Sequence, residues 1–148
     1  MFRVTRRYQF AASHRLHAAA LSEEENRRLY GKCNNPHGHG HNYVVEVSVC
    51  GPLAGATGRA VDIAALDELV AREVVRPLDH RNLNREVPVF SGTAPVLVPT
   101  SENLGVEICR RLKRNWQQAF PGEWPKLEKI RIGETARNIF EVSADEIE

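Results

Sequence analysis

The chain has 148 residues, of which 42% are apolar and 26% are charged, and its formal net charge is +1. This length is enough for a single domain, 1–148, with a substantial core. The near-neutral charge and the lack of a long basic block argue against general nucleic-acid binding. Neither a long apolar run nor a signal-peptide pattern is present, so we expect a cytoplasmic protein that does not enter a membrane.

Two segments near the N-terminus alternate apolar and polar residues with a period of two, as half-buried strands do. They predict strands at Phe2–His14 and His39–Gly51. The segment between them, 15–36, is long for a connection between paired strands, and long connections are often functional. Within it, a capping box that begins at Ser22 predicts a short helix, and Gly31 is expected to end that helix.

The second strand begins with His39 and His41, which share a face because residues i and i+2 of a strand point the same way. In an antiparallel hairpin the end of the first strand lies beside the start of the second, so His14 joins them. Three imidazoles with a fourth position open to substrate are typical of catalytic zinc sites. We interpret these histidines as ligands of a Zn2+ cofactor. The alternatives are a flexible His-Gly turn and a further ligand, His37.

The next segments predict two helices. Asp62 is expected to cap a helix over 63–76, which Pro77 ends. Thr100 is expected to cap the longest helix, which extends to about Phe120 with one apolar stripe.

Residues 85–99 contain three prolines and predict a loop, and two short strands at 127–134 and 138–142 complete the chain. The order ββααββ predicts an α+β fold, with a four-stranded antiparallel sheet and two helices on one face. The open edges of such a sheet need covering. We therefore expect a homo-oligomer that extends its sheets across subunits.

The three cysteines are an odd number and argue against a disulfide framework. Cys50 lies in an apolar strand and Cys109 in an apolar helix, so both are interpreted as core residues. Cys33 lies in a Gly/Asn/Pro/His loop. It is a candidate fourth metal ligand, a structural thiol or a base, and the last role needs a positive charge nearby.

Three acidic residues and one more histidine carry further alternatives. Asp79 and His80 are either a pair at the end of a helix or a charge-oriented acid/base unit. Glu134 is either a surface residue or a carboxylate that accepts two N–H donors in a pocket. Glu102 fits the first turn of a helix, where acidic residues are favourable.

Five motifs together closely resemble the 6-pyruvoyltetrahydropterin synthase family, in the same order and with compatible gaps. They are FAASHRLH at 10–17, GKCNNPHGHGHNY at 31–43, PLDHRNLN at 77–84, PTSEN at 99–103 and the Glu-Thr step at 134–135. The resemblance implies the tunnelling fold (T-fold), in which ββααββ subunits form a trimeric barrel. It also implies that two trimers stack into a homohexamer with active sites at subunit interfaces.

The resemblance also implies a role for each site residue. The implied zinc ligands are His14, His39 and His41. The implied catalytic groups are Cys33, Asp79 and His80. The implied substrate-binding residues are Glu134, as the pterin anchor, with Thr100, Ser101 and Glu102.

The implied reaction converts a small-molecule pterin, 7,8-dihydroneopterin triphosphate, to 6-pyruvoyltetrahydropterin with release of triphosphate, a step of tetrahydrobiopterin biosynthesis. A sister group forms 6-carboxytetrahydropterin for queuosine and deazapurine synthesis. Here the cysteine precedes His39 by six positions, as in the pyruvoyl-forming members. Two remote alternatives are a non-catalytic zinc-binding oligomer and a zinc hydrolase.

Overall fold

The computed structural model describes residues 1–92 and 96–148. Its strands are β1 (Phe2–His14), β2 (His39–Gly51), β3 (Arg81–Asn82), β4 (Lys126–Gly133) and β5 (Ile139–Ser143). Its α-helices are α1 (Glu23–Tyr30), α2 (Ile63–Val70), α3 (Arg76–Leu78), α4 (Leu83–Glu86), α5 (Pro88–Ser91) and α6 (Ser101–Ala119). Two 3-10 turns, Gly31–Asn34 and Ala144–Glu146, and a π-turn, Ala71–Val75, complete the elements of these residues.

The first two strands form the predicted antiparallel hairpin. Their pairing runs without a break from Phe2 opposite Gly51 to His14 opposite His39. Strand β4 then pairs with β2, and β5 with β4, both antiparallel. The predicted α+β class is therefore confirmed, and the histidine-bearing ends of β1 and β2 lie side by side.

The prediction of a purely antiparallel, four-stranded sheet is wrong. The sheet has five strands in the order β3-β1-β2-β4-β5, and β3 runs parallel to β1. The backbone N–H of His80 donates to the carbonyl of Ala11 at 2.6 Å, and this contact with a distant part of the chain aligns β3 with β1. The Asp79 side chain accepts from the Ala11 N–H at 2.9 Å and draws the same segment against β1.

The predicted helix over 63–76 exists, but Pro77 does not end it. The helix begins after Asp62, whose side chain accepts from the backbone N–H of Ala65. It then passes through the π-turn into α3, which contains Pro77 in its first turn. In the π-turn the N–H of Arg76 donates to the carbonyl of Ala71, five residues earlier. This wider ladder accommodates Pro77, which has no N–H to donate, and the helix continues to Leu78.

The predicted loop over 85–99 is partly helical. Helix α4 extends to Glu86, and α5 covers Pro88–Ser91 because proline is favourable in a first helical turn. Residues 93–95 of that prediction lie outside the described residues. The longest helix, α6, follows its predicted cap, since the Thr100 side chain accepts from the N–H of Asn103.

The core lies between one face of the sheet and the helices. Val45, Val47 and Val49 of β2 are fully buried, as are Leu66 of α2 and Leu104 of α6. Several polar residues of β2, such as Asn42 and Glu46, alternate with its buried residues, whereas Arg6 and Tyr8 of β1 bond to Asp67 of α2. Both long helices contribute to this one core, as predicted, and the histidine end of the hairpin lies at its margin.

The two cysteines that were predicted to be in the core differ in their burial. Cys109 is buried, but Cys50 is only half-buried. Cys50 alternates with the buried Val49 and so points to the open face of the sheet.

Within the described residues, no helix is long and apolar enough to cross a membrane.

Candidate metal centre and active site

Three imidazoles converge at the end of the first hairpin. The potential ligand atoms of His14, His39 and His41 all lie within 4.8 Å of one another. Their ring centroids are 4.7 to 5.0 Å apart, and the rings are nearly perpendicular to each other. The Nε2 atoms of His39 and His41 are separated by 2.9 Å. Such a group could hold one metal ion, with each ring offering a nitrogen from a different direction.

Gly38 allows the chain to enter β2 close to the end of β1. Its φ is +72°, a conformation that other residues rarely adopt, and an added Cβ would lie 2.8 Å from the His14 carbonyl oxygen. A side chain at this position would push the start of β2 away from β1. Glycine therefore permits the close pairing that sets His39 beside His14.

The hydrogen bonding of His14 leaves one of its nitrogens suited to a metal. Its Nδ1 lies 2.8 Å from the carbonyl oxygen of Pro99. A carbonyl only accepts, so Nδ1 carries the proton and Nε2 presents a lone pair. That Nε2 is buried and has no hydrogen-bond partner among the described residues. This arrangement, with one nitrogen oriented by a carbonyl and the other free, is usual for metal-binding histidines.

Burial disfavours the protonated form of two of these imidazoles, those of His14 and His41. His14 is only 1% exposed. Desolvation lowers the pKa of His14 and of His41 from the ordinary value. A metal binds the neutral imidazole, so a site that disfavours the protonated form is prepared for one. The residues present therefore fit a metal ion.

Glu134 lies next to the imidazoles, just after β4 ends. Its Oε1 is 3.7 Å from His14 Nε2 and 3.6 Å from His41 Nε2. Its backbone N–H donates to the carbonyl of Asn138 across the turn between β4 and β5. Its side chain is only 10% exposed. Glu134 is thus a mostly buried carboxylate beside the imidazoles of His14 and His41, which favours the second of its two interpretations over a surface role.

Cys33 lies on the 3-10 turn Gly31–Asn34, which packs beside the chain that leaves β1. The backbone N–H of Leu16 donates to the Cys33 carbonyl at 2.8 Å. Burial, and after it the negative charge of Glu134, raise the pKa of the Cys33 thiol. The thiol is thus close enough to Glu134 to respond to its charge. The thiol is not part of the three-histidine group.

We expect the ionisation of Cys33 to respond to Glu134. Removing the carboxylate charge by Glu134→Gln stabilises the thiolate, so the pKa of Cys33 in the metal-free protein falls. The measurement is the pH dependence of iodoacetamide alkylation, followed by mass spectrometry of the Cys33 peptide. Alkylation of Cys50 in the same samples is the internal control. If the pH at which alkylation of Cys33 is half-maximal stays constant or rises in the variant, this expectation is contradicted.

Asp79 and His80 form a pair, but on the other side of β1. His80 Nδ1 lies 3.0 Å from Asp79 Oδ1, and the His80 side chain is 83% exposed. The N–H of Ala11 is the main cause that holds the pKa of Asp79 below its usual range. His80 has a φ of 59°, which is uncommon for a residue other than glycine. Within the described residues, no hydrogen bond or ion pair joins His80 to the three histidines.

Thr100, Ser101 and Glu102 start helix α6. Thr100 uses its hydroxyl as the helix cap, with the Asn103 N–H as donor at 3.2 Å. Ser101 is buried, and its hydroxyl oxygen has no partner among the described residues. Ser101 and Glu102 line a cavity of about 210 Å³ between α6 and the last two strands. A buried hydroxyl without a partner suits a polar ligand group, since leaving such a group unpaired is costly.

Two asparagines hold the chain that follows His14. Asn84 bonds both backbone groups of Arg15, at 2.7 and 2.9 Å. Asn26 does the same for Ala18, at 2.7 and 3.0 Å. Each side-chain amide offers one donor and one acceptor, as a neighbouring strand would. The long connection is thus tied to the protein without a strand partner, which keeps Cys33 and His14 on adjoining segments.

Sequence reasoning missed two groups that support His14. Tyr43 is fully buried, and its hydroxyl lies 3.3 Å from His14 Nδ1. Tyr43 continues the alternation of His39 and His41, so its position behind the rings was available from the pattern. The Pro99 carbonyl is 85 positions away in the chain, and no sequence pattern points to it.

The chain is similar to known proteins in both sequence and fold. A family model described as 6-pyruvoyl tetrahydropterin synthase matches residues 3–145. The chain is 45% identical over 136 residues to the 6-pyruvoyl tetrahydrobiopterin synthase of Poecilia reticulata, covering 92% of this chain and 86% of the relative. It is 44% identical to that of Homo sapiens, covering 92% and 87%. The structure of the Caenorhabditis elegans 6-pyruvoyl tetrahydropterin synthase matches with a TM-score of 0.84 at 37% identity, covering 96% of this chain and 94% of that one.

Proposed function

The chain belongs to the 6-pyruvoyl tetrahydropterin synthase family of lyases, and we propose that it is a zinc-dependent enzyme acting on 7,8-dihydroneopterin triphosphate. The products are 6-pyruvoyltetrahydropterin and triphosphate. The observation that carries this proposal is the convergence of three imidazoles beside a buried carboxylate on a chain 45% identical to a named synthase. The sequence resemblance and the site chemistry thus point to the same reaction.

The proposed metal ligands are His14, His39 and His41. When bound there, zinc supplies Lewis-acid polarisation of the hydroxyl oxygens on the pterin side chain, which acidifies the adjacent C–H bonds. His14 is oriented for this role by the Pro99 carbonyl. The proposed set has three protein ligands and leaves room for substrate oxygen, which is the pattern of catalytic rather than structural zinc sites.

The proposed base is Cys33, which takes a proton from a side-chain carbon as the thiolate. The raised pKa of its thiol in the metal-free protein means that a positive charge is needed to favour that thiolate. His80, held by Asp79, returns a proton at a different position. The two proton movements together shift hydrogen along the side chain, so the internal redox change requires no external oxidant.

Glu134 is the proposed pterin anchor. A carboxylate accepts two N–H bonds at once, which fixes both the position and the orientation of a planar ring. Ser101 is proposed to assist through its unpartnered hydroxyl, with Thr100 and Glu102 at the same helix start. Holding the ring at a fixed distance from Cys33 and the imidazoles lowers the entropic part of the barrier.

The exposed position of His80 supports a site built between subunits. Within one chain, no hydrogen bond or ion pair among the described residues joins Asp79 or His80 to the three histidines, and in the proposed assembly one subunit offers the thiol while its neighbour offers the acid pair. The proposed assembly is a homohexamer, a dimer of trimers in which each trimer closes a barrel. Open sheet edges at β3 and β5 supply the surfaces that such closure needs.

We expect two inactive variants to restore activity when they assemble together. Cys33→Ala and His80→Ala, co-expressed in equal amounts, are expected to give about a quarter of wild-type activity, since each half of a shared site is intact half the time. The control pairs His80→Ala with Asp79→Ala. No recovery is expected there, because the acid pair needs both residues in one chain. Co-assembly of the first pair without recovery places the whole site within one subunit.

The product of the reaction tests the proposed function. The purified, zinc-loaded protein is incubated with 7,8-dihydroneopterin triphosphate, and the products are identified by mass spectrometry. We expect triphosphate and the 6-pyruvoyl product. Release of acetaldehyde with a 6-carboxy product assigns the chain to the sister activity instead. Unchanged substrate contradicts both and leaves a non-catalytic metal-binding oligomer.

A further inference from the structure

A second cavity is built on the residues next to Cys33 and His14 in the chain. It measures about 290 Å³ and lies between the start of the long connection, α1 and the turn at 31–36. We call it the basic cleft. Its lining includes the side chains of Arg15, His17, Glu23, Arg27, Lys32 and Asn34.

The basic cleft carries an excess of positive charge. It is lined by three permanent cations and one carboxylate. Among the described residues, Arg27 and Lys32 form no ion pair. Arg15 uses its Nε to donate to the Asn34 carbonyl at 3.1 Å, and its terminal nitrogens have no acceptor among those residues. Concave surfaces with one sign of charge attract counter-ions, and guanidinium groups match phosphate oxygens with two parallel bonds.

The neutral groups of the cleft add to its donors. The Asn34 side-chain nitrogen donates to the Leu16 carbonyl at 2.8 Å and lies 3.1 Å from His17 Nδ1. Because this amide nitrogen only donates, His17 Nδ1 is the acceptor, and neutral His17 carries its proton on Nε2. The cleft therefore presents N–H groups from Arg15, His17, Arg27 and Lys32. These donors suit a ligand that carries many hydrogen-bond acceptors and negative charge.

We propose that the basic cleft binds the triphosphate group of the substrate, a proposal that rests on the proposed function. Arg15 directly follows His14, and Lys32 directly precedes Cys33. Neighbouring Cα atoms are about 3.8 Å apart. The backbone of two lining residues thus lies next to a proposed metal ligand and next to the proposed base. This proximity and the charge of the lining are the grounds on which the phosphate chain of the substrate is placed in the cleft.

The assignment has a chemical consequence for the reaction. Triphosphate is the leaving group, and negative charge accumulates on it as the carbon–oxygen bond breaks. Cations placed around it stabilise that charge and also hold the substrate before reaction. Arg27 is the residue best suited to a test, because it lies on α1, six positions from Cys33, and has no role in the metal site.

The test compares Arg27→Ala with Arg28→Ala. Both residues are exposed and lie on α1, and both variants lose one positive charge, but only Arg27 lines the cleft. Binding of inorganic tripolyphosphate to each zinc-loaded protein is measured by calorimetry, and KM and kcat are measured with 7,8-dihydroneopterin triphosphate. Arg27→Ala is expected to raise the Kd for tripolyphosphate and the KM about three- to fivefold. Arg28→Ala is expected to stay near wild type.

Three results overturn the assignment. The first is no measurable binding of tripolyphosphate to the wild-type protein. The second is an equal effect of the two variants, which indicates a general charge effect. The third is weakened tripolyphosphate binding with unchanged KM, which makes the cleft a site for free anions only. The binding measurement needs no turnover. Arg27-dependent binding by a protein that leaves the pterin unchanged therefore refutes the proposed lyase and not the anion site.

Discussion

Replacing Cys33 with alanine is expected to lower kcat about 10²- to 10⁴-fold, the usual contribution of a positioned proton-transfer group. The thiol lies on a turn tied to Leu16, beside the chain that follows His14, and the negative charge of Glu134 is one of the causes that raise its pKa. It is not one of the three proposed metal ligands. Metal content is therefore expected to stay at wild-type level, and the loss is confined to the chemical step, measured as steady-state turnover of dihydroneopterin triphosphate.

Cys50→Ala is the matched control for this variant. Cys50 is also a half-buried free cysteine, but it points to the open face of the sheet. Its removal is expected to leave kcat within about twofold of wild type, as is usual for substitutions away from a site. Full activity in Cys33→Ala rules out the thiol as the base and favours hydrolysis by metal-bound water. Loss of metal from Cys33→Ala makes the cysteine a ligand instead.

Replacing His39 with alanine is expected to abolish both metal binding and activity. Losing even a supporting contact to a metal ligand costs 10- to 100-fold in affinity, so losing a ligand is expected to cost more than about 100-fold. Metal bound only to the folded state stabilises it by about 2.7 kcal/mol at a hundredfold excess over Kd. Zinc is therefore expected to raise the Tm of the wild-type protein and not that of His39→Ala.

His37→Ala is the control for that variant. His37 is exposed, lies two positions before His39 and is not part of the convergent group. Wild-type metal content, Tm shift and turnover are expected. Retention of one metal per chain in His39→Ala contradicts the proposed ligand set, and loss of metal from His37→Ala adds a fourth ligand to it.

The first hairpin was predictable from sequence because its signals are local and agree with each other. The alternation that buries Tyr43 and Val45 also fixes the register, since a slip of one residue exposes the whole apolar face. That register alone sets His14 opposite His39. The helix caps at Ser22, Asp62 and Thr100 were predictable for the same reason, as each acts on the residues that follow it.

The features that sequence reasoning missed depend on long-range contacts. Strand β3 exists because Asp79 and His80 bond to Ala11, more than 60 positions earlier. The helix continues past Pro77 because a π-turn precedes it, and π-turns have no simple sequence signal. The basic cleft, which brings Arg15 and Arg27 together, likewise forms only when the connection between β1 and β2 has folded.

The coordination of the bound metal is the most direct test of the proposed site. X-ray absorption at the metal edge of the zinc-loaded protein is expected to show three imidazole nitrogens at about 2.0–2.1 Å, one lighter oxygen ligand and no sulfur. One metal per chain is expected. A sulfur ligand at about 2.3 Å shows that Cys33 closes the site, and fewer than three imidazoles shows that the hairpin does not form it. Either result contradicts a catalytic centre open to the pterin.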